Sequence, residues 1–174
     1  MRKEKHKQNA FEQIGRAVEQ QFNIKIASDG RWVHEGGEIH RKSLVKLFST
    51  VLKRDPDGVF WLETPVEKGR IEVEDAPFIA TTLTVDRADD DYFDRHAGLQ
   101  FTTNVDDNVP LDLGHPLQML PSLDGCGLRP YIEVRDGLLA KLSRPVYYEL
   151  AARAIAGDGG HIGVWSNGHF FILE

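Results

Sequence analysis

Two Asp-Gly pairs, at positions 29–30 and 136–137, each stand between short runs of alternating apolar residues. That placement constrains the fold more than any other feature of the chain. A two-residue hairpin connection needs positive φ, which Asp, Asn and Gly supply at least cost. Each pair is therefore expected to reverse the chain between two antiparallel strands: "IKIA" and "RWVH" around Asp29-Gly30, "YIEV" and "LLAKL" around Asp136-Gly137. Behind each comes a stretch with helical spacing that opens on an arginine, Arg41 in "HRKS" and Arg144 in "SRPV". A second hairpin then follows each helix, "VFWLET" with "RIEVED" in the first case, "HIGVWS" with "HFFILE" around Asn167-Gly168 in the second. The order hairpin–helix–hairpin thus occurs twice. It reads as a diverged internal duplication, although slight identity between the halves also leaves chance recurrence in an α+β chain.

The helical stretches carry recognisable signals. Leu44, Leu47, Phe48 and Val51 form an apolar stripe over residues 42–53, with Lys42, Lys46 and Lys53 off it as a solvated face. Ser143 and Pro145 predict the start of the second helix as cap and first-turn proline. Residues 9–22 predict a first helix from Phe11, Ile14, Val18 and Phe22, with Asn9 and Glu12 as a capping box. Between the two copies, "IATTLTV" and "LQFTTNV" predict further strands, and "DRADDDYFDRH" an acidic loop. The expected fold class is α+β, with a mostly antiparallel sheet and few helices. The expected organisation is an N-terminal helix over 1–23, an α+β lobe over 24–85 and a second lobe over 86–174.

Composition removes several function classes. A net charge of −6 argues against a dedicated nucleic-acid binder, which needs clustered cations. No apolar run approaches a membrane span, and the basic start "MRKEKHKQNA" is followed by no apolar segment of the secretory type. The one cysteine, Cys126, has no internal partner, so a reducing cytoplasm is the expectation. No phosphate loop, nucleophile elbow or dinucleotide fingerprint occurs, so no cofactor is expected. The loop holding Asn104, Asp106, Asn108 and Asp112 lacks the glycine and glutamate of a calcium loop, and no metal is expected there.

The charges of "TPVEKGRIEVEDAPF", residues 64–78, separate by strand parity. Ile71 and Val73 take one face, and Arg70, Glu72 and Glu74 the other, as a solvated ladder. Asp75 falls on the apolar parity. A carboxylate there must be paired, hydrogen-bonded or shifted in pKa, either as a structural acceptor before Pro77 or as part of a site. The helix-opening arginines are the second oddity, since a cation at a helix N-terminus is unfavourable by about 0.3–1 kcal/mol. Either they meet an anion there, or they hold carboxylates such as Glu67 or Asp75.

The stretches "DGRWVH", "LVKLFSTVL", "TPVEKGRIEVEDAPF", "TTN", "HP" and "PYIEVRDGLLAKLSRPVYYEL", in that order, resemble the DUF1285 family of bacterial proteins of unknown function, over roughly residues 24–174. The resemblance implies a duplicated α+β core whose C-terminal half looks like a pleckstrin-homology-type barrel. It also implies a cleft between the halves for a nucleotide-like ligand, and a role in signalling. It supplies no activity. Carried onto this chain, it implies ligand contacts from Arg41, Thr64, Glu67, Lys68, Asp75, Arg135 and Arg144.

The leading expectation is thus a cytoplasmic ligand-binding or sensor protein holding a small anionic, nucleotide-like molecule. Arg41, Lys68 and Arg144 would neutralise it, while Glu67 and Asp75 orient those cations. One alternative is a hydrolase with Glu67 or Asp75 as general base. The other is a protein-interaction scaffold that docks or self-associates through residues 9–22.

Overall fold

The computed structural model describes residues 19–86 and 95–174. The expected helix over 9–18 and the acidic loop over 87–94 lie outside the described residues. The described chain is mostly sheet, with two helices and two compact units. Unit 1 holds the described residues up to Lys25 together with Trp32–Glu72, and unit 2 holds Ile26–Arg31 with Val73–Glu174.

Unit 1 is built on a six-stranded sheet. Its strands are β1 (Glu19–Ile26), β2 (Trp32–His34), β3 (Gly37–Glu38), β4 (Leu52–Arg54), β5 (Phe60–Glu63) and β6 (Lys68–Val73), in the order β3-β2-β1-β6-β5-β4. Helix α1 (Lys42–Thr50) connects β3 to β4. Hairpins set the antiparallel pairs, with Leu62 opposite Gly69 and Leu52 opposite Leu62. In the centre, Gln21 reaches the carbonyl of Arg70 and Lys25 pairs with Glu72, so β1 and β6 run in the same direction. The sheet is therefore mixed.

Period-two burial gives this sheet its apolar face: Ile24, Leu52, Leu62 and Ile71 are all buried. Trp32 is 1% exposed and stacks on Phe48 of α1 at 6.1 Å between ring centroids. Gly69 is required by that packing. A Cβ there would overlap the ring of Phe22.

Unit 2 holds a second six-stranded sheet and a small three-stranded one. The large sheet comprises β7 (Phe78–Asp86), β8 (Gly98–Thr103), β9 (Asn108–Pro110), β10 (Leu117–Pro121), β11 (Leu128–Arg135) and β12 (Leu138–Leu142), ordered β10-β11-β12-β7-β8-β9. Here too one pair is parallel, β12 with β7, where Ala140 faces Phe78 and Leu142 faces Ala80. Bulges interrupt β7 between Ala80 and Thr82 and β11 between Glu133 and Arg135, and each bends its strand. Helix α2 (Arg144–Ala151) follows β12, and β13 (Ile155–Ala156), β14 (Ile162–Ser166) and β15 (His169–Ile172) form the small sheet. Phe78, Phe101, Leu111, Ile132, Ala140 and Leu150 are fully buried and make the core of this unit.

Several local expectations need correction. Residues 19–22 belong to β1 and are not helical: they extend a strand hydrogen-bonded between β2 and β6 where the 3.6-residue pattern suggested a helix. The helix expected over 42–53 ends at Thr50, since Leu52–Arg54 pairs with β5. Leu47 is 60% exposed, so the helix stripe is not wholly inward. Ser143 is the N-cap of α2 by position, yet its hydroxyl makes no capping bond. The Asp29-Gly30 turn has only Gly30 at positive φ, and Ala27 bonds Arg31 across it. It is a longer turn than the two-residue type found at Asp136-Gly137 and Asn167-Gly168, where both residues have positive φ. Strand β9 falls in the loop weighed above as a calcium-like stretch.

Candidate functional site

Unit 1 contains an open pocket of about 400 Å³. Its apolar lining comes from Phe22 and Ile24 of β1, Phe48 and Val51 at the end of α1, and Leu62 of β5. Two turns, the end of β2 and exposed residues of β1 complete it, bringing Gln21, Asn23, His34, Glu35, Thr64 and Glu67. Each group is there for a local reason. The Glu35-Gly36 turn joins β2 to β3, with positive φ at both residues, so Glu35 is held at a tight reversal. Thr64 closes the β5–β6 turn: its amide donates to Glu67 O at 2.8 Å, and its hydroxyl accepts the Glu67 amide at 3.0 Å. Those bonds use the backbone of Glu67 and leave its carboxylate free of any ion pair among the described residues.

Of the residues expected at a site, Thr64 and Glu67 line this pocket, and Lys68 adjoins them in sequence. The Lys68 ammonium sits 4.4 Å above the Trp61 ring centroid, so its position is set by a cation–π contact. Beside it, the Trp61 indole donates to Asp55 at 2.9 Å. That bond, with a further one from the Val59 amide, holds the Asp55 carboxyl below the usual carboxylate range. Arg41 is the N-cap of α1 and Arg144 the first residue of α2; both are exposed. Neither arginine makes an ion pair with Glu67 or Asp75, and no ion pair of either occurs among the described residues.

Asp75 belongs to unit 2 and does enter an apolar environment, its side chain only 5% exposed. Lys141 of β12 lies 2.6 Å from one carboxylate oxygen, and the Tyr131 hydroxyl of β11 donates to the other at 2.7 Å. Lys141 also donates to the carbonyl of Ser28. Burial, and then the Asp75 carboxylate accepting its proton, push the Tyr131 hydroxyl well above the usual phenol range. Every member of this cluster has a partner, and Tyr131 stays a donor at any physiological pH. Arg135 is engaged elsewhere in the unit, with Asp107 at 2.9 Å and over the Phe78 ring at 5.2 Å. Chemically the cluster is a clamp and offers no free base.

Sequence reasoning missed two sets of residues. Lys141 and Tyr131, the true partners of Asp75, are far along the chain, and only the pairing of β11, β12 and β7 brings them together. Gln21, Asn23 and Glu35 were hidden by the helical reading of residues 9–22 and by an unremarked Glu-Gly turn; that turn was the available signal. Asn104 was weighed as a calcium ligand but is a brace, accepting the Ile79 amide at 3.0 Å and donating to Gly30 O at 3.3 Å. Among the described residues, no group of three or more His, Cys, Asp or Glu is placed to hold a metal ion, and no helix is long and apolar enough to cross a membrane.

Comparison with known families matches residues 13–76 to the model for a domain of unknown function, the DUF1285 N-terminal domain. Residues 77–173 match the model for the corresponding C-terminal domain, also of unknown function. Two solved structures are similar. One is a DUF1285 family protein from Silicibacter pomeroyi DSS-3, 36% identical, with 92% of this chain and 85% of that one covered at a TM-score of 0.81. The other, from Shewanella baltica OS155, is 29% identical, with 74% and 89% covered and a TM-score of 0.56. Comparison with curated proteins returns no match.

Proposed function

We infer that this chain, which belongs to the DUF1285 family of proteins of unknown function, is a small-molecule-binding protein of the sensor type whose ligand seats in the pocket of unit 1. The observation that carries the reading is the pocket itself. Its volume of about 400 Å³ falls within the range of small-molecule sites, with an apolar lining and several polar groups to orient a guest. Signalling then follows as a proposal about use: among the described residues no group of three or more His, Cys, Asp or Glu is placed to hold a metal ion, which suits reporting a ligand better than metal-assisted conversion of it. Hydrolysis by Asp75 is disfavoured by the clamp, because Lys141 and Tyr131 already occupy both carboxylate oxygens. We also read the twofold recurrence of hairpin, helix and hairpin as ancestral duplication, with a C-terminal half of pleckstrin-homology-like descent.

An anionic, nucleotide-like ligand remains the second reading. What favours it is that Arg41 and Arg144 are exposed at helix starts with no ion pair among the described residues.

Thermal unfolding of the full chain against nucleotides, phosphorylated metabolites, amines and uncharged aromatics tests both. A ligand at a hundred times its dissociation constant adds ~2.7 kcal/mol, and each kcal/mol moves the midpoint by ~2–4 °C in a chain of this size. A pocket ligand loses its shift in Asn23→Trp, which fills the lining from an exposed strand position, and keeps it in Arg41→Ala/Arg144→Ala. An anion held at either arginine behaves the opposite way. A panel with no hit sinks both.

A further inference from the structure

The lining of the unit 1 pocket is one-sided in charge. Among the described residues it carries the carboxylates of Glu35 and Glu67 and no lysine or arginine. Neither carboxylate has an ion pair among the described residues, whereas other glutamates of the same unit do: Glu63 with Lys53 at 3.8 Å and Glu72 with Lys25 at 3.2 Å. Both carboxylates that line the pocket are thus without an ion pair among the described residues. Both are placed by the backbone of tight turns, at Glu35-Gly36 and Thr64–Glu67, so little ordering is left to a ligand.

The apolar side of the pocket is aromatic and backed. Phe22 lies against Gly69, where no side chain intervenes, and Phe48 is held by its stack on Trp32. Aromatic faces attract cations through the ring quadrupole, and carboxylates attract them directly. The same arrangement repels phosphate and carboxylate groups. His34 adds a ring nitrogen to the same lining.

Resting on the pocket reading above, we propose that the ligand is an organic cation, with an apolar or aromatic body against Phe22, Phe48, Val51 and Leu62 and an ammonium or guanidinium head between Glu35 and Glu67. This specifies the chemistry of the site and reverses the anionic expectation drawn from the sequence.

The experiment is calorimetric titration of the full chain with three probes of one shape: phenethylamine, protonated at pH 7, 2-phenylethanol and phenylacetate. The amine is expected to bind about five- to tenfold more tightly than the alcohol, the scale of an exposed cation–π contact plus a solvated charge pair. Phenylacetate is expected to be weakest. Glu35→Gln and Glu67→Gln, conservative changes at exposed positions, should bring the amine down to the alcohol and weaken the amine far more than the alcohol. Raising salt to 1 M should narrow the gap in the wild-type protein. Equal or stronger binding of the alcohol or phenylacetate at a site blocked by Asn23→Trp overturns the cation proposal and leaves the pocket reading standing. Binding of none of the probes overturns the cation proposal. The pocket reading falls with it only if the wider panel also gives no shift sensitive to Asn23→Trp.

Discussion

Asp75 is the residue at which a sequence-level oddity and a structural cost coincide. Its carboxylate is buried with Lys141 against it, and a buried pair that loses one partner leaves an uncompensated charge, at about 3–5 kcal/mol. Lys141→Met should therefore lower the thermal midpoint by roughly 6–20 °C in a chain of this length. Asp75→Asn/Lys141→Met, which removes both charges, should recover part of the loss. A double variant no better than the single one would show that the pair is not the source. Gly69 gives a second test at this scale. A methyl group there meets the Phe22 ring, and overpacking of this kind costs about 1–3 kcal/mol. Gly69→Ala should be destabilised accordingly and rescued by Phe22→Leu, measured as a double-mutant cycle by urea unfolding. Additive effects would mean that the ring simply moves aside. The parity of "RIEVED" made the inward turn of Asp75 legible, because strand alternation is local. Its partners were not, because nothing local in "KGRIEVED" encodes Lys141.

Elements built on dedicated turn chemistry were the most readable part of the fold. Asp136-Gly137 and Asn167-Gly168 have positive φ at both positions, as two-residue hairpins demand. Helix ends were less readable: apolar residues at Val51 and Leu52 continue the helical pattern, yet β4 begins there because pairing with β5 supplies partners that a further turn of helix would not. The turn between β4 and β5 makes a pH prediction. Asp55 accepts from the Trp61 indole and the Val59 amide, and its folded pKa is depressed, first by the indole bond. A depressed carboxylate stabilises the fold fully above its unfolded pKa of about 3.9. That contribution disappears as pH falls through the lower folded value. Asp55→Asn should accordingly be less stable than wild type at pH 7, and the difference should shrink on acidification from about pH 5 to pH 2. Parallel acid profiles of the thermal midpoint would rule Asp55 out as a contributor.

At the scale of the molecule, the compact units do not follow the chain. The family models meet at 76/77, and unit 2 takes in Ile26–Arg31 from far upstream. Sequence reasoning could not anticipate that excursion, since a hairpin tip carries no local mark of which body it joins. Its energetic role is specific. Ile26 is fully buried, Gly30 gives its carbonyl to Asn104, and Ser28 gives its carbonyl to Lys141. Gly30 itself is tightly seated, since a Cβ there would crowd both Ile79 and Asn104. A fragment of residues 73–174 should therefore retain every strand of the large sheet of unit 2 and still be weakened. It leaves the Lys141 ammonium short of an acceptor, at about 1–3 kcal/mol for a buried unsatisfied group. The loss of Ile26 uncovers apolar surface in addition. Circular dichroism of the fragment should show a sheet spectrum with a lowered, broadened melt. Amide exchange should be fastest around Glu74, Asn104 and Lys141, where the missing segment is bonded. A fragment as stable as those same residues in the full chain would mean that the upstream segment is merely draped on unit 2. Selective exchange at Glu74, Asn104 and Lys141 would instead make it a structural member of that unit.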